Sequence, residues 1–420
     1  MMGAIQQLVE ELGRNGRKAA ARLAVATTAE KNEALEAVAV ALEKDRASIQ
    51  AENAKDLEAG RANGLTGAML DRLELTDKRI DAMIAGVRDV VRLPDPVGGT
   101  FDERTRPNGL EICRLRVPIG VIGIIYESRP NVTVDAGVLT LKSGNAVILR
   151  GGSEAIHSNL ALAGTMSSAV ESAGLPKATV QLVPTTDREA VGAMLTLDKY
   201  IDLIIPRGGE NLIRRVVENS TIPVIKHYDG ICHVYVDRET DLAMAADIAF
   251  NAKVQRPGVC NAMETLLVDS RVADKFLPVI AERLEKAGVE IRGCERTRAV
   301  IKNAKPAAEE DWRTEYLDLI LSIKVVDGLD AAVEHIGQYG SKHTDGIVTS
   351  NTETAKNFVN RVDSASVMVN ASIRFSDGAQ YGLGAEIGIS TDKLHARGPM
   401  GLEELTTYKW VVTGTGQLRS

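Results

Sequence analysis

The 420-residue sequence lacks the long apolar runs and the one-sided charge that mark membrane-spanning and nucleic-acid-binding proteins. No stretch offers about 18 or more uninterrupted apolar residues, which is the length that a membrane-spanning helix needs. The formal net charge of −7 is spread without an acidic tail or a basic stripe, so nucleic acid is not an expected partner. The first residues predict an amphipathic helix with Ile5, Leu8 and Leu12 on one face rather than a signal peptide, and we expect a cytoplasmic protein.

Cysteine and histidine are too scattered to predict a disulfide framework or a metal site. The four cysteines form no Cys-x-x-Cys pair and show no metal-ligand spacing with the six histidines, so we expect no metal. Free thiols fit a reducing compartment. Cys113, Cys232 and Cys294 are expected to serve as small apolar side chains.

The sequence pattern changes near residue 105. The length and the 44% hydrophobic content allow two or three domains with a large core. Residues 1 to about 105 predict helices, because apolar residues recur there with a period of 3.6. From Leu110, short β-like runs alternate with helical ones, which predicts an α/β fold with a parallel sheet covered by helices on both faces. The β-like runs are VPIGVIGIIY, NAVILR, TVQLVP, IDLIIP, ETLLVD, SIKVVD, GIVTS and SVMVN, followed by the tail TTYKWVVTGTGQL.

Cys260 differs from the other cysteines because it follows a Pro-Gly turn, in NAKVQRPGVCNAME, instead of lying in an apolar run. In a turn, a substrate can reach the thiolate, and a backbone N–H can point at the reacting atom. A thiolate is also a strong nucleophile, and VCNA can present the N–H of Cys260 itself to an oxyanion. A catalytic nucleophile is therefore predicted, with a structural cysteine as the alternative.

Three Gly-rich stretches are candidate phosphate-binding turns. GLGAEIG, at Gly382–Gly388, has a spacing one residue too long for a dinucleotide fingerprint and follows no apolar strand, so it is predicted to be a loop. NAVILRGGSEA and IDLIIPRGGENLIRRV both follow strands. The second opens a helix and is the better anion site, because backbone N–H groups at a helix N-terminus favour a phosphate. Neither is a GxGxxG motif, so a strand-to-helix turn without a ligand is the alternative.

The order of VPIGVIGII, SGNAVILRGGSEA, IDLIIPRGGEN, QRPGVCNA and ASVMVNASIRFSDG, from about residue 117 to 378, resembles the aldehyde dehydrogenase superfamily. YESRPNVT, STIPVIKHYDGICHVYVD and GSKHTDGIV further resemble the branch that reduces γ-glutamyl phosphate to glutamate 5-semialdehyde in proline biosynthesis. The match covers nearly the whole chain in one order, which makes it more specific than any single motif. The alternatives are a reductase of a related acyl phosphate or acyl thioester, and a catalytically silent binding protein.

The resemblance implies an aldehyde dehydrogenase-like α/β fold with a division into domains. A Rossmann-type cofactor-binding domain is expected over residues 1–228, interrupted by a β-hairpin near 107–117. An α/β catalytic domain is expected over 229–390. A small β oligomerisation element is assigned to the hairpin region and the C-terminal segment 391–420, so a homo-oligomer is expected.

The resemblance also implies a reaction. Cys260 would attack γ-glutamyl phosphate and release phosphate, and hydride from NADPH would reduce the resulting thioester. Where acid-forming members of the superfamily have a Glu-Leu-Gly-Gly segment that activates water, this chain has KHYDGICH without a glutamate, which suits a reductive path. Asp229 is the alternative base. The implied oxyanion donors are the backbone N–H of Cys260 and the side chain of Asn131, for which a plain turn residue is the alternative.

For the cofactor, ILRGGSEA lies where the superfamily places a Lys-Pro-Ser-Glu-like segment against the adenine ribose. A cation and a small hydroxyl there leave room for a 2′-phosphate, so the resemblance implies NADPH. The implied cofactor-binding residues are Arg150, Ser153, Glu154, Gly208, Gly209 and Glu315, the last at the nicotinamide ribose. A solvated helix or strand edge is the alternative for Glu315.

The substrate carries an α-amino group, an α-carboxylate and a phosphate. Arg129, Arg256 and His343 lie in motifs that match the branch, and they are the predicted substrate-binding residues. An arginine can hold a carboxylate or phosphate with two hydrogen bonds, although a surface charge is the alternative for each. The glutamate kinase that makes the substrate is a further expected partner.

Overall fold

The computed structural model of the protein describes residues 3–127 and 129–419 and divides into two compact units. Unit 1 comprises the described residues up to 226, residues 382–388 and the described residues from 400 onward. Unit 2 comprises residues His227–Tyr381 and Ile389–Pro399. None of the helices in the described part of the chain is long and apolar enough to cross a membrane.

The helices of the described residues fall mainly before residue 100 and between the later strands. They are α1 (Ala4–Leu23), α2 (Thr28–Lys44), α3 (Arg46–Ala62), α4 (Gly67–Leu73), α5 (Asp77–Arg92), α6 (Asn131–Lys142), α7 (Ile156–Ser172), α8 (Glu189–Leu195), α9 (Glu210–Asn219), α10 (Leu242–Val254), α11 (Ala273–Lys286), α12 (Glu295–Val300), α13 (Leu329–Tyr339) and α14 (Thr352–Arg361).

The strands begin at residue 100 and continue almost to the end of the chain. They are β1 (Thr100–Thr105), β2 (Glu111–Pro118), β3 (Val121–Tyr126), β4 (Ala146–Arg150), β5 (Val180–Leu182), β6 (Leu203–Arg207), β7 (Cys232–Val236), β8 (Met263–Asp269), β9 (Glu290–Gly293), β10 (Lys305–Pro306), β11 (Ile320–Val326), β12 (Thr344–Val348), β13 (Ser366–Val369), β14 (Ile389–Ser390), β15 (Gly398–Pro399) and β16 (Thr406–Thr413).

Unit 1 begins with five helices, and threonine caps the starts of three of them. Thr27 forms a capping box with Glu30 at α2, and Thr66 and Thr76 accept hydrogen bonds from backbone N–H groups of α4 and α5. Such caps satisfy donors that the first helical turn leaves unpaired. The predicted helical character of this region is confirmed up to Arg92.

The central sheet of unit 1 is parallel, with the strand order β5-β4-β3-β6. In chain order this is third, second, first, fourth, which is the order of a doubly wound nucleotide-binding sheet. Every residue of β3 is buried. The strand order reverses between β3 and β6, where Tyr126 pairs with Arg207. Ligands of such sheets bind outside the carboxyl ends of the strands at this switch point.

A second sheet of unit 1 has the antiparallel order β1-β2-β16. The prediction of helices up to about residue 105 is wrong for β1. Its residues pair with β2, and this pairing with a neighbouring strand, rather than a local period, sets their conformation. Arg114 of β2 lies over the rings of Tyr408 and Trp410 in β16, with 4.6 Å from the guanidinium carbon to each ring centre.

Unit 2 is built on a parallel sheet of seven strands, in the order β10-β9-β11-β8-β7-β12-β13. Helices α10 and α11 contribute to the apolar core on one face, and α13 and α14 to the core on the other. The predicted α/β class with helices on both faces is confirmed. β7, β8 and β12 lie inside the sheet and are fully buried.

The chain's end is divided differently from the expected C-terminal segment 391–420. Residues 391–399 belong to unit 2, because β14 and β15 pair there, and residues from 400 onward belong to unit 1, because β16 pairs with β2. The hairpin expected near 107–117 consists of β1 and β2 and therefore spans residues 100–118. Gly382–Gly388 is a loop, as predicted.

Asn145 links two sequence-distant parts of unit 1. Its side chain is fully buried, and Oδ1 accepts a hydrogen bond from Gly120 N at 2.8 Å. Its Nδ2 donates to the hydroxyl of Ser143 at 2.9 Å and to the carbonyl of Leu405 at 2.8 Å. The amide thus joins the loop before β3 to the segment that leads into β16.

We predict that Asn145→Ala destabilises the protein, because it removes the partners of the partly buried Gly120 N–H and of the carbonyl of buried Leu405. The expected loss in free energy of unfolding is about 2–4 kcal/mol. Asn357→Ala is the matched control, because Asn357 is exposed on α14 and its side chain donates a long, 3.4 Å hydrogen bond to Glu353. The urea-unfolding midpoint should fall for the first variant and stay close to that of the parent protein for the second. Equal midpoints for the two variants would contradict the role of Asn145.

Candidate active site

The carboxyl ends of the parallel strands in unit 1 hold the predicted oxyanion donor Asn131 and most of the predicted cofactor-binding residues. Asn131 is the first residue of α6 after β3, and Arg150 is the last residue of β4. Ser153 and Glu154 lie in a short 3-10 turn that precedes α7. Gly208 and Gly209 separate β6 from α9. The fold therefore places these residues at the edge of the sheet where nucleotide-binding sheets take their ligand.

Arg150 has a fixed, partly buried guanidinium. Its two terminal nitrogens donate to the backbone carbonyls of Gly151 and Thr186, each at 3.0 Å. Burial lowers the pKa of Arg150, the nearby Glu154 opposes this, and Arg188 and Arg215 lower the pKa further. The sequence interpretation assigned no role to Arg188 or Arg215, although Arg215 lies in the candidate anion-binding stretch IDLIIPRGGENLIRRV. Three arginines therefore lie close together here, alongside a carboxylate.

The glycines of this edge differ in what surrounds them. A side chain at Gly151 would overlap the side-chain amide of Asn159, and one at Gly208 would overlap the carboxylate of Glu127. At Gly209, an added Cβ atom would meet only open space. The Gly209 N–H, at the N-cap of α9, donates to Glu127 Oε2 at 3.0 Å. The open backbone suits a cofactor phosphate, but contact with this N–H requires the Glu127 carboxylate to move away. The assignment of Gly208 and Gly209 to the pyrophosphate stays a prediction.

Asn131 and Arg129 lie in the connection between β3 and α6. The Asn131 side-chain nitrogen donates to Asp135 Oδ2 at 2.9 Å, which uses one of its two hydrogens. Burial raises the pKa of Asp135 to about 6, against the lowering effect of the Asn131 hydrogen bond. Arg129 is exposed, and its carbonyl accepts a hydrogen bond from Val132 N at 3.0 Å. The roles predicted for both residues stay predictions.

The candidate nucleophile lies in unit 2, at the edge of the sheet where the amino ends of the parallel strands lie. Cys260 lies in the turn between α10 and β8 and is half-buried. Residues Gly230 and Cys232 lie at the start of β7, and His343 immediately precedes β12. Because β8, β7 and β12 are adjacent and parallel, their amino ends lie side by side. The residues at these ends, including Cys260 and His343, are therefore close together. The turn predicted around Cys260 is confirmed.

The backbone of Cys260 is held by the KHYDGICH segment. A side chain at Gly230 would overlap the carbonyl group of Cys260, so only glycine permits this approach. Cys232 is fully buried, and its thiol donates to the same carbonyl at 3.2 Å. Burial raises the pKa of Cys232 well above its usual range, which keeps the donating proton in place. Cys232 is buried as predicted, but it also positions the nucleophile.

Glu315 supports the same segment. Its Oε1 accepts a hydrogen bond from Gly230 N at 3.0 Å. The residue was predicted to contact the nicotinamide ribose, and the structure places it one hydrogen bond away from the loop that contacts Cys260. The ribose contact stays a prediction.

Two imidazoles lie beside Cys260. A ring nitrogen of His227, a ring nitrogen of His343 and the sulfur of Cys260 all lie within 4.8 Å of one another. The rings of His227 and His343 meet edge to face, with centres 5.5 Å apart. Burial, with a smaller effect from His227, lowers the pKa of His343 to about 3, so this imidazole is neutral at physiological pH. His343 therefore offers hydrogen bonds or a lone pair rather than a charge, and its predicted substrate contact stays a prediction.

Two arginines lie near Cys260. Arg256, a predicted substrate-binding residue, is exposed in the same turn. Arg374, which follows β13 and was missed by the sequence interpretation, donates to Gln255 Oε1 at 2.9 Å. Burial and then Arg256 lower the pKa of Arg374, while Cys260 acts in the opposite direction. The signal available for Arg374 was its position in ASVMVNASIRFSDG, one of the motifs that carried the resemblance.

The remaining cysteines have structural surroundings. Cys113 lies in β2, and Cys294 accepts a hydrogen bond from Val325 N at 3.5 Å. Asn261, next to the nucleophile, is buried and donates to the carbonyl of Ser376 at 2.8 Å, which ties the turn to the segment after β13. Sequence reasoning had no signal for this contact, because it joins parts of the chain more than 100 residues apart.

Comparisons with known proteins agree with this architecture. A model described as the aldehyde dehydrogenase family matches residues 3–300. A γ-glutamyl phosphate reductase of Moorella thermoacetica is 60% identical over 411 residues, which cover 98% of this chain and 98% of that protein.

Solved structures give the same result. The γ-glutamyl phosphate reductase of Thermotoga maritima aligns with a TM-score of 0.97 and 50% identity, covering 98% of this chain and 100% of that one. The γ-glutamyl phosphate reductase of Saccharomyces cerevisiae aligns with a TM-score of 0.55 and 31% identity, with both chains fully covered. The chain therefore belongs to the aldehyde dehydrogenase family and, within it, to the γ-glutamyl phosphate reductases.

Proposed function

We propose that this chain reduces L-γ-glutamyl 5-phosphate to L-glutamate 5-semialdehyde and phosphate, with NADPH as the reductant, in proline biosynthesis. The observation that carries the proposal is the convergence on Cys260 of Gly230, Cys232, two imidazoles and two arginines in a chain that is 60% identical to a protein of that name. This arrangement suits attack on an anionic acyl compound by a thiolate.

The first chemical step belongs to Cys260. Its thiolate attacks the acyl carbon, and the C–O bond to phosphate breaks, so that a thioester and inorganic phosphate are formed. The electropositive surroundings of Arg256 and Arg374 favour the thiolate and attract the anionic substrate. A neighbouring ring nitrogen, within 4.8 Å of the sulfur, can take up the thiol proton. The position of the sulfur is set through its backbone, which Gly230 and Cys232 hold.

Two groups are assigned to the oxyanion that develops on the substrate carbonyl. The backbone N–H of Cys260 is one donor, and the second hydrogen on Asn131 Nδ2 is the other. Asp135 orients the Asn131 amide through its 2.9 Å hydrogen bond. When bound, NADPH supplies the hydride that reduces the thioester carbonyl. The thiohemiacetal on Cys260 then releases the aldehyde and regenerates the thiol.

Protection of the thioester from water follows from the KHYDGICH segment. The residue that lies against the Cys260 carbonyl is Gly230, which carries no side chain able to activate water. Asp229 is its neighbour in sequence and the first candidate for an unrecognised base. Without the glutamate of the acid-forming members, the thioester carbonyl is either reduced by hydride or attacked by phosphate, which reforms the acyl phosphate and the thiol.

The choice of NADPH is supported by the arginines at the end of β4 and around it. Nearby guanidinium groups stabilise the negative charge of a 2′-phosphate. Arg188 and Arg215 lie close enough to Arg150 to lower its pKa. Ser153 is exposed beside them and leaves space. Glu154 lies in the same turn as Ser153, and a carboxylate there would favour the 2′-hydroxyl of NADH. The balance between the arginines and Glu154 therefore sets the preference between NADPH and NADH.

Three further expectations complete the proposal. The three-stranded sheet of β1, β2 and β16 is the proposed oligomerisation element, and its exposed side chains Tyr408, Trp410 and Val412 provide apolar surface for it. The kinase that makes the labile acyl phosphate is the proposed partner. The proposed location is the cytoplasm, where the four free cysteines would stay reduced.

We predict that Cys260→Ser abolishes reduction, because a serine hydroxyl in this setting is a poor nucleophile at neutral pH. The expected loss in turnover is about a thousandfold or more. Turnover is measured as NADPH oxidation with γ-glutamyl phosphate generated in place by a coupled kinase. Cys113→Ser and Cys294→Ser serve as matched controls and should retain most of the activity. Normal turnover by a correctly folded Cys260→Ser protein would remove Cys260 from the mechanism.

We predict a preference for NADPH over NADH of about tenfold or more, since a charge-assisted contact contributes about 1.5–3 kcal/mol. Arg150→Ala should lower kcat/KM more with NADPH than with NADH, and the ratio of the two is the readout. Arg298→Ala, an exposed arginine on α12, is the matched control and should leave the ratio unchanged. Equal efficiency of the parent protein with both cofactors would refute the assignment.

We predict that oxidation of glutamate semialdehyde requires phosphate, because KHYDGICH lacks the glutamate that activates water in acid-forming members of the superfamily. Pre-steady-state measurement of NADPH formation should show a single-turnover burst without phosphate and steady turnover with it. Sustained oxidation to free glutamate without phosphate would contradict this prediction. The variant Asp229→Asn would then test whether Asp229 is the base.

A further inference from the structure

The cluster of Cys260, His227 and His343 has the composition of a transition-metal site. One thiol and two imidazoles place three potential ligand atoms within 4.8 Å of one another. Thiolate and imidazole are the ligands that Zn²⁺ prefers, and three protein ligands with an open fourth position are typical of sites that exchange their metal or bind substrate. The sequence predicted no metal, because the three residues are widely separated along the chain.

The hydrogen bonds around the imidazoles fix which nitrogen carries a lone pair. His227 Nδ1 lies 2.8 Å from the carbonyl oxygen of Ile389, which can only accept, so Nδ1 is protonated and Nε2 has the lone pair. His343 Nδ1 lies 2.9 Å from Thr344 Oγ1, whose own hydrogen is donated to Ser376. His343 Nδ1 is therefore also the donor, and its Nε2 has the lone pair.

These outer hydrogen bonds are the kind that orient histidine ligands in metal sites. A ligating histidine usually donates its other N–H to a carbonyl, hydroxyl or carboxylate, as both imidazoles do here. The Nε2 atom of His343 is buried and has no hydrogen-bond partner among the described residues. A buried polar atom without a partner is costly, and a metal ion would satisfy it.

We propose that Cys260, His227 and His343 form a three-ligand site for Zn²⁺, and that Zn²⁺ bound there reversibly blocks the nucleophile. On binding, the Cys260 thiol releases its proton to solvent as the sulfur–zinc bond forms, and no electron transfer is involved. A tetrahedral site needs ligand atoms about 3.4–3.6 Å apart, given the usual Zn–S and Zn–N lengths. The three ligand atoms, which lie within 4.8 Å of one another, therefore have to approach by up to about 1 Å on binding, which side-chain rotation supplies.

The block of activity rests on the proposed role of Cys260, whereas metal binding rests on the cluster alone. While its sulfur is bound to zinc, Cys260 cannot attack the acyl phosphate. The same donor set disfavours Mg²⁺, which prefers oxygen ligands. The Mg²⁺ that a kinase requires to make the substrate should therefore leave the reductase active.

Co²⁺ titration of the full-length protein tests binding directly, because Co²⁺ replaces Zn²⁺ in such sites and a Co²⁺–thiolate bond absorbs in the near ultraviolet. We expect a thiolate charge-transfer band together with visible bands of tetrahedral Co²⁺, both removed by adding Zn²⁺ and absent with Mg²⁺. Absence of a thiolate band at saturating Co²⁺ would overturn the site.

Asparagine variants separate ligation from folding. His343→Asn and His227→Asn keep a side-chain N–H in the place of Nδ1 and remove Nε2, so they preserve the outer hydrogen bonds. Each variant should weaken Co²⁺ binding by at least about tenfold, because loss of an outer hydrogen-bond partner of a metal ligand already weakens metal binding by that much. Cys260→Ser should remove the thiolate band, whereas Cys113→Ser and Cys294→Ser should keep it. Undiminished binding in the folded asparagine variants would refute the three-ligand assignment.

Protection of Cys260 from alkylation provides a readout that does not depend on turnover. Iodoacetamide labelling of Cys260, followed by peptide mass spectrometry, should slow with Zn²⁺ and recover with EDTA. Inhibition of reductase activity should follow the same Zn²⁺ dependence. If protection occurs without inhibition, the zinc block is wrong and Cys260→Ser turnover decides whether the proposed nucleophile is wrong as well. If Cys260→Ser is inactive but no protection occurs, only the zinc site is wrong.

Discussion

The approach of Gly230 to the carbonyl of Cys260 is the constraint on which the catalytic unit depends. It leaves no room for a side chain, so the start of β7 and the turn before β8 are held at backbone distance. Cys232 donates to the same carbonyl, and Glu315 accepts from the Gly230 N–H, so each neighbour acts on the nucleophile through its main chain. The sulfur is thereby positioned without a contact to its own reactive atom, which leaves that atom available for chemistry.

The two units use opposite edges of their parallel sheets. Unit 1 collects Arg150, the paired glycines and Asn131 at the carboxyl ends of β3, β4 and β6, where helix N-termini and backbone N–H groups suit an anionic cofactor. Unit 2 collects Cys260 and His343 at the amino ends of β8 and β12. Loops at strand ends can vary without disturbing the buried strands, which is why both edges can carry chemistry while the sheets stay apolar.

Local sequence patterns predicted the α/β class, the turn at Cys260 and most of the longer strands after residue 110, because these follow from short-range periodicity and turn chemistry. They did not mark β7, β9, β10, β14 or β15. Local patterns also failed for β1, because its conformation comes from pairing with β2. They failed for the C-terminal region as well, because its division between the two units depends on the pairing of β14 with β15 and of β16 with β2. The same limit applies to the site. His227 and Arg374 reach Cys260 only through sheet order, so spacing along the chain gave no sign of their proximity.

The pairing of β16 with β2 has a consequence for how the protein is made. Strand β16 completes a sheet whose other two strands are synthesised about 300 residues earlier, and the Asn145 amide likewise gains its hydrogen bond to Leu405 only after that interval. During translation, one edge of β2 lacks its partner, and exposed edges of this kind invite pairing with other chains. A chain that stops before β16 keeps this edge of β2 unpaired, so the completion of synthesis through Thr413 is what protects the sheet from pairing with other chains.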